Sequence, residues 1–239
     1  MKNIAILTAS QAFTYPADQI RLSFLSMSAV QNIIQHTFQF RTSAITTPPS
    51  TFGPVELTNP PGLVYEWGEW SAEDVAFPIR LLTIDQRRVV WQIAGSHTEH
   101  IEGLMNQLLA VCSATITEDG TTALGAWDKT QWYSELSFTL EVGIEAWKRT
   151  MPILQLIDDA LYSVIPASQR TFPSINVFNY RGDETFPGEY RPWHGSKFNL
   201  TLRQGTTIDE QTFYSAAPLK TRDHIALIEK IEEYLQNGF

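Results

Sequence analysis

The chain carries the same local pattern twice, and this repetition limits the folds it can adopt. Residues 77–113 and 196–239 each have the pattern of two short strands followed by an amphipathic helix. Both helices begin with an acidic residue, a histidine and an isoleucine, at 99–101 and 223–225. Strands joined by a short turn pair antiparallel, and a helix with one apolar face can cover them. The pattern predicts an α+β fold and leaves open whether the two segments arose by internal duplication.

Helical spacing of apolar residues recurs in three segments of the chain. We predict helices at 97–113, 145–165 and 221–236, packed on one face of a mainly antiparallel sheet. The clearest strand is 134–142, where apolar and polar side chains alternate as expected for a sheet with one buried face. Residues 19–46 change their period twice, and we interpret them as a strand, a short helix and a strand.

A proline-rich segment divides the chain into two unequal parts. Residues 47–62 contain Pro-Pro twice and a further proline between the two pairs. Proline lacks the N–H that a central strand needs, so this segment is predicted to be an extended arm. We place an N-terminal strand and helix segment with this arm at 1–62 and an α+β main domain at 63–239. The length of 239 residues is also compatible with a single domain.

Charge and composition argue against several classes of function. The chain has 17 basic and 26 acidic residues, a net charge of −9, and no dense basic patch for nucleic acid or anionic membranes. Its first apolar run is too short for a signal peptide, and no stretch approaches the roughly 18 apolar residues of a membrane span. One cysteine cannot form an intrachain disulfide. We therefore expect an acidic, soluble, cytoplasmic protein without a cofactor and without nucleic acid or membrane partners.

The segment 180–194 is the strongest candidate for a ligand site. Long irregular segments that mix charged and aromatic residues often carry binding sites. A carboxylate near a histidine could orient that histidine as a general base. A solvated loop with exposed ion pairs would have the same composition, so that interpretation stays open. The candidate ligand-binding residues are Arg181, Asp183, Glu189, Tyr190, Arg191, Trp193 and His194.

The close pair of histidines, His97 and His100, is a candidate for metal binding. Two histidines three residues apart on a helix could hold zinc if another element supplied a third ligand. The spacing differs from the helical zinc-protease motif, in which the histidines are four residues apart. Histidines at the surface or at the helix start are the alternative.

A third candidate places carboxylates beside tryptophans, as in a sugar-binding groove. Glu66 and Glu69 are close in sequence to Trp67 and Trp70. Regular alternation along a strand puts the two carboxylates on opposite faces. They can share a site only if Gly68 bends the strand. Otherwise the tryptophan rings pack into the core on one side and a rim on the other.

The sequence contains no motif that identifies a catalytic activity. It has no glycine-rich phosphate loop, no nucleophile elbow and no Cys-x-x-Cys pair. The proline-rich arm and abundant aromatic residues lead us to expect a non-enzymatic interaction or assembly protein, with a protein partner or as a homo-oligomer. The alternatives are a small-ligand-binding protein or hydrolase that uses residues 180–194, and a metal-binding protein that uses His97 and His100.

Overall fold

The computed structural model describes residues 1–46, 62–72, 75–114, 122–142, 175–178, 197–206 and 210–237. The strands are β1 (Lys2–Thr14), β2 (Thr42–Thr46), β3 (Gly62–Ala72), β4 (Val75–Ile84), β5 (Arg88–Ala94), β6 (Lys129–Thr139), β7 (Ile175–Phe178), β8 (Lys197–Leu202) and β9 (Thr212–Ala217). The helices in these ranges are α1 (Leu22–Leu25), α2 (Ser28–Thr37), α3 (His100–Ala114) and α4 (Thr221–Asn237). The pairs β1–β5, β2–β3, β3–β4, β4–β5, β6–β9, β7–β8 and β8–β9 are antiparallel, which confirms the α+β prediction.

The chain forms two compact units. The described part of the N-terminal unit is 8–46, 62–72, 75–114 and 122–133. The described part of the C-terminal unit is 1–7, 134–142, 175–178, 197–206 and 210–237. Each unit contains one of the two strand-strand-helix segments, β4-β5-α3 in the first and β8-β9-α4 in the second. The boundary predicted at residue 62 adjoins 47–61, which lie outside the described residues, and it stays a prediction.

The N-terminal unit has the strand order β2-β3-β4-β5-β1. Burial alternates along β5, which turns Val89, Trp91 and Ile93 into the core. Helix α3 covers these side chains with an apolar stripe at helical spacing. The buried residues of this stripe are Ile101, Leu104, Met105, Leu108 and Cys112. The helix predicted at 97–113 is therefore present, and it begins at His100.

The C-terminal unit has the strand order β6-β9-β8-β7. Strands β6 and β9 pair with Phe138 opposite Phe213, and these two rings stack at 6.0 Å. Helix α4 adds the buried side chains Ile228 and Leu235 to the same core. The helix predicted at 221–236 is thus present. The helix predicted at 145–165 lies outside the described residues.

The segment 19–46 differs from the prediction in its first element. Ile20 forms an isolated bridge with Leu124, and the chain then turns into the short helix α1 where a strand was predicted. Ser26 closes this turn, because its hydroxyl and its N–H donate to the Leu22 carbonyl at 2.6 and 2.8 Å. The predicted short helix and second strand are present as α2 and β2.

Among the helices that the structure describes, none has both the length and the apolar composition that crossing a bilayer requires.

Candidate functional site: a bend at Trp67

The alternation of side chains along β3 is interrupted at Trp67. Leu63 and Tyr65 are buried, so an unbroken strand would also turn Trp67 into the core. Trp67 instead has a backbone φ of +57°, and its side chain is 58% exposed. A single left-handed residue shifts the phase of the strand, and Gly68 becomes the next buried position. The backbone conformation is therefore what brings Trp67 to the surface.

Backbone hydrogen bonds from the segment before β2 hold this bend. The Arg41 N–H donates to the carbonyls of Glu66 and Trp67, at 3.2 and 3.3 Å. The Glu69 N–H donates to the Phe38 carbonyl at 2.9 Å. These bonds satisfy backbone groups where the regular strand pattern is broken. The bend is thus built into the packing of β3 against its neighbours.

Gly68 is required by close packing beside the bend. A Cβ atom at this position would lie 2.6 Å from the Phe38 carbonyl oxygen and 2.7 Å from a ring carbon of Phe40. The sequence suggests Gly68 as the place for a bend, and the structure has the bend one residue earlier. Gly68 supplies the close approach, and Trp67 supplies the positive φ.

A cavity of about 280 Å³, here called the Trp67 cavity, opens at this bend. Phe77 is almost fully buried, while Trp67 and the charged side chains of Arg41 and Glu69 are exposed. The cavity thus combines aromatic surface with one positive and one negative side chain. Its lining residues are Arg41, Trp67, Gly68, Glu69, Ala76, Phe77 and Pro78.

Helix α3 fixes the aromatic wall of the cavity. The Phe77 ring contacts the Trp70 ring at 5.0 Å and stacks on the His100 ring at 5.5 Å. The Trp70 indole N–H donates to the Gln107 side-chain oxygen at 2.6 Å. Gly103 lets the helix approach, because a Cβ there would lie 3.2 Å from the Trp70 ring. Phe77 is therefore held from behind by side chains with fixed partners.

The structure brings together only part of the predicted carboxylate and tryptophan set. Trp67 and Glu69 line the cavity. Glu66 is also exposed, but its carboxylate accepts a hydrogen bond from the Thr42 hydroxyl at 3.3 Å. Trp70 packs behind Phe77. Arg41 and Phe77 come from other parts of the chain, and no local spacing in the sequence pointed to them.

The histidine pair proposed as a metal site has other contacts. The His97 and His100 rings lie 6.0 Å apart and nearly perpendicular, at 88°. The Nδ1 atom of His100 is 2.6 Å from the Ser96 hydroxyl oxygen. Within the described ranges, neither this pair nor any other set of residues forms a cluster of three potential metal ligands. The other predicted site, at 180–194, lies outside the described residues, and its seven candidate residues stay predictions.

A buried chain of hydroxyl and imidazole groups lies in the core of the C-terminal unit. The Ser134 hydroxyl of β6 is 2.8 Å from Nδ1 of His224, and the Ser215 hydroxyl of β9 is 2.9 Å from Nε2. All three residues are 0% exposed. Burial lowers the pKa of His224 to about 4, so its ring is neutral at pH 7. A serine beside a neutral histidine resembles a nucleophile and its base, but complete burial keeps a substrate from reaching it.

Both serine hydroxyls of this chain also bond to backbone carbonyls. Ser215 donates to the Asn199 carbonyl at 2.7 Å, and Ser134 donates to the Leu219 carbonyl at 3.1 Å. A neutral imidazole has one N–H donor and one acceptor nitrogen, so the ring can take part in hydrogen bonds on both sides. The three side chains then form a structural link between α4, β6 and β9.

No protein-family model matches this chain, and no curated protein sequence is significantly similar to it. Its function is therefore inferred from its own residues and their geometry.

Proposed function

We propose that this chain is a non-enzymatic interaction protein that forms a homodimer through strand β2. The supporting observation is the exposed edge that β2 presents among the described residues. β2 ends the strand order of the N-terminal unit, and within the described residues no strand pairs with its second side. Residues 42–45 are exposed, with Ile45 at 55%. Such an edge presents backbone N–H and C=O groups to which a further strand can bond.

The composition of β2 favours the addition of a strand. Its sequence is Thr-Ser-Ala-Ile-Thr, with no charge and no proline. Proteins that stay monomeric commonly place lysine, proline or an inward-pointing charge on an exposed edge. Threonine and isoleucine are instead residues that favour strands. The edge is therefore suited to pairing.

A second copy of the chain is the occupant that fits this edge. A two-fold axis places two copies of one strand antiparallel, which continues the antiparallel pairing of β2 with β3. In a pairing centred on Ala44, Thr42 faces Thr46 and Ser43 faces Ile45. No like charges meet within the strand, although the whole chain has a net charge of −9. Because β2 has 5 residues, we expect a weak and reversible dimer. Salt should strengthen this dimer, because it screens the repulsion between two copies that each carry a net charge of −9.

Sedimentation velocity across the micromolar concentration range tests this proposal. The full chain should change from monomer to dimer as its concentration rises. Ile45→Lys adds a charge at the edge and should weaken dimerisation by about tenfold or more. Ile33→Lys is the matched control, because Ile33 is 42% exposed on α2 and the charge change is the same. A strict monomer at the highest concentration would contradict the proposal, as would a dimer that both substitutions affect equally.

A further inference from the structure

Trp67 has an unusual backbone conformation, with φ at +57°, that does not bury its own side chain. Positive φ is a genuine outlier for a bulky residue that is not glycine. The Trp67 side chain is 58% exposed, so burial of its indole compensates for little of this strain. Hydrogen bonds from Arg41 and Glu69 nevertheless hold the backbone in place. Local strain that the surrounding structure maintains is concentrated at ligand sites, and here it presents an aromatic ring to solvent.

The lining of the Trp67 cavity favours an uncharged ligand. Arg41 and Glu69 contribute one charge of each sign, and Ala76, Phe77 and Pro78 contribute apolar surface. A phosphate or an isolated carboxylate would meet the Glu69 carboxylate as well as the Arg41 guanidinium. A hydroxyl group avoids this conflict because it accepts a hydrogen bond from a guanidinium and donates one to a carboxylate.

We infer that the Trp67 cavity binds a pyranose ring, as a monosaccharide or as the terminal residue of a glycan. The apolar C–H face of the ring packs on the Trp67 indole, and neighbouring hydroxyls bond to Arg41 and Glu69. The volume of about 280 Å³ lies just below the range of about 300–1,000 Å³ typical of drug-sized ligands, which suits a single ring.

The carboxylates at this site favour binding over hydrolysis. Hydrolysis of a glycosidic bond normally requires two carboxyl groups that face each other across that bond. Among the described residues, Glu69 is the carboxylate that lines the cavity, and Glu66 is bonded to Thr42. The inference is therefore a recognition site, consistent with a non-enzymatic protein but independent of the β2 dimer.

Saturation-transfer NMR on the full chain tests this inference. The probes are the methyl glycosides of glucose, galactose and mannose, with glycine and methyl phosphate as zwitterionic and anionic comparisons. We expect transfer to at least one glycoside, strongest at the C–H groups that face the indole. Trp67→Ala should weaken binding by about tenfold or more, in line with the loss of a central aromatic contact. Met27→Ala is the control, because Met27 is 53% exposed and lies outside the cavity lining.

A second variant separates loss of binding from loss of folding. Glycine adopts positive φ freely, so Trp67→Gly should keep the fold, checked by circular dichroism, and should lose the glycoside signal. Ile45→Lys should keep the signal, which distinguishes this site from the proposed dimer. Absence of transfer to every glycoside would overturn the inference. So would binding that survives Trp67→Gly, or a preference for glycine or methyl phosphate.

Discussion

His224→Gln should remove a large part of the acid sensitivity of the C-terminal unit. Desolvation by burial lowers the pKa of His224 from 6.5 to about 4, against a smaller opposing effect of a hydrogen bond with the Ser134 backbone. In the unfolded chain the ring is solvated and its pKa returns to the ordinary value. Between pH 6.5 and about pH 4, the unfolded state therefore binds a proton that the folded state does not bind. The stability from the neutral ring is complete above pH 6.5 and is lost as the pH falls to about 4.

The size of this effect follows from the same difference in pKa. Each unit of pKa difference corresponds to about 1.4 kcal/mol. Acidification from pH 6.5 to about 4 should therefore lower the free energy of unfolding by about 3 kcal/mol through His224. At about pH 5, roughly 2 kcal/mol should already be lost. The glutamine amide offers both a donor and an acceptor, as the neutral ring does, and it cannot be protonated in this range.

Urea unfolding at about pH 7 and at about pH 5 measures this effect. Hydrogen exchange of the α4 amides under the same conditions shows which part of the change belongs to the C-terminal unit. The wild-type protein should lose about 2 kcal/mol more than His224→Gln between these two conditions. Acidic groups shared by both proteins cancel in this comparison. His36→Gln, which changes an exposed histidine on α2, should behave as wild type. An equal loss in wild type and His224→Gln would refute the reasoning, as would an NMR titration of the His224 ring close to pH 6.5 in the folded protein.

Three further predictions concern packing and burial elsewhere. Gly68→Ala should lower the free energy of unfolding by about 2 kcal/mol in a urea titration, because the added Cβ meets backbone at 2.6 Å; an unchanged midpoint would show that the bend adapts freely. Glu232 is 5% exposed, accepts the Glu141 N–H at 2.7 Å and pairs with the Met1 amino group. Glu232→Ala should therefore cost about 3 kcal/mol in the same assay, while the exposed neighbour Glu233→Ala should cost little. Burial raises the pKa of Cys112 to about 12. A thiol reagent at mildly alkaline pH should therefore modify Cys112 only as the chain unfolds. Rapid labelling of the native protein would argue against this burial.

The elements of this fold were largely predictable because their patterns lie within single segments. The apolar stripe of α3 repeats at helical spacing, and the residues that the structure buries are the ones that form this stripe. Burial along β5 alternates with every residue, as a strand with one core face requires. Such patterns depend on the geometry of one helix or one strand, which neighbouring residues in the sequence already specify. The first part of 19–46 was predicted as a strand from a weak alternation, whereas the structure has the helical turn α1 there, and the Ser26 hydroxyl bonds to the Leu22 carbonyl one turn earlier.

The candidate site depended on contacts between distant parts of the chain. Alternation alone turns Trp67 into the core, and its exposure results from bonds with Arg41 and the packing of Gly68 against the segment before β2. The histidines of the two similar helix starts likewise have different surroundings. His100 stacks on Phe77 beside the cavity, whereas His224 is enclosed between two serines from separate strands. The sequence by itself determined most of the helices and strands among the described residues, because these depend on local spacing. The tertiary structure decided which side chains reach the surface and whether a buried ring is charged, because both depend on neighbours that no local pattern specifies.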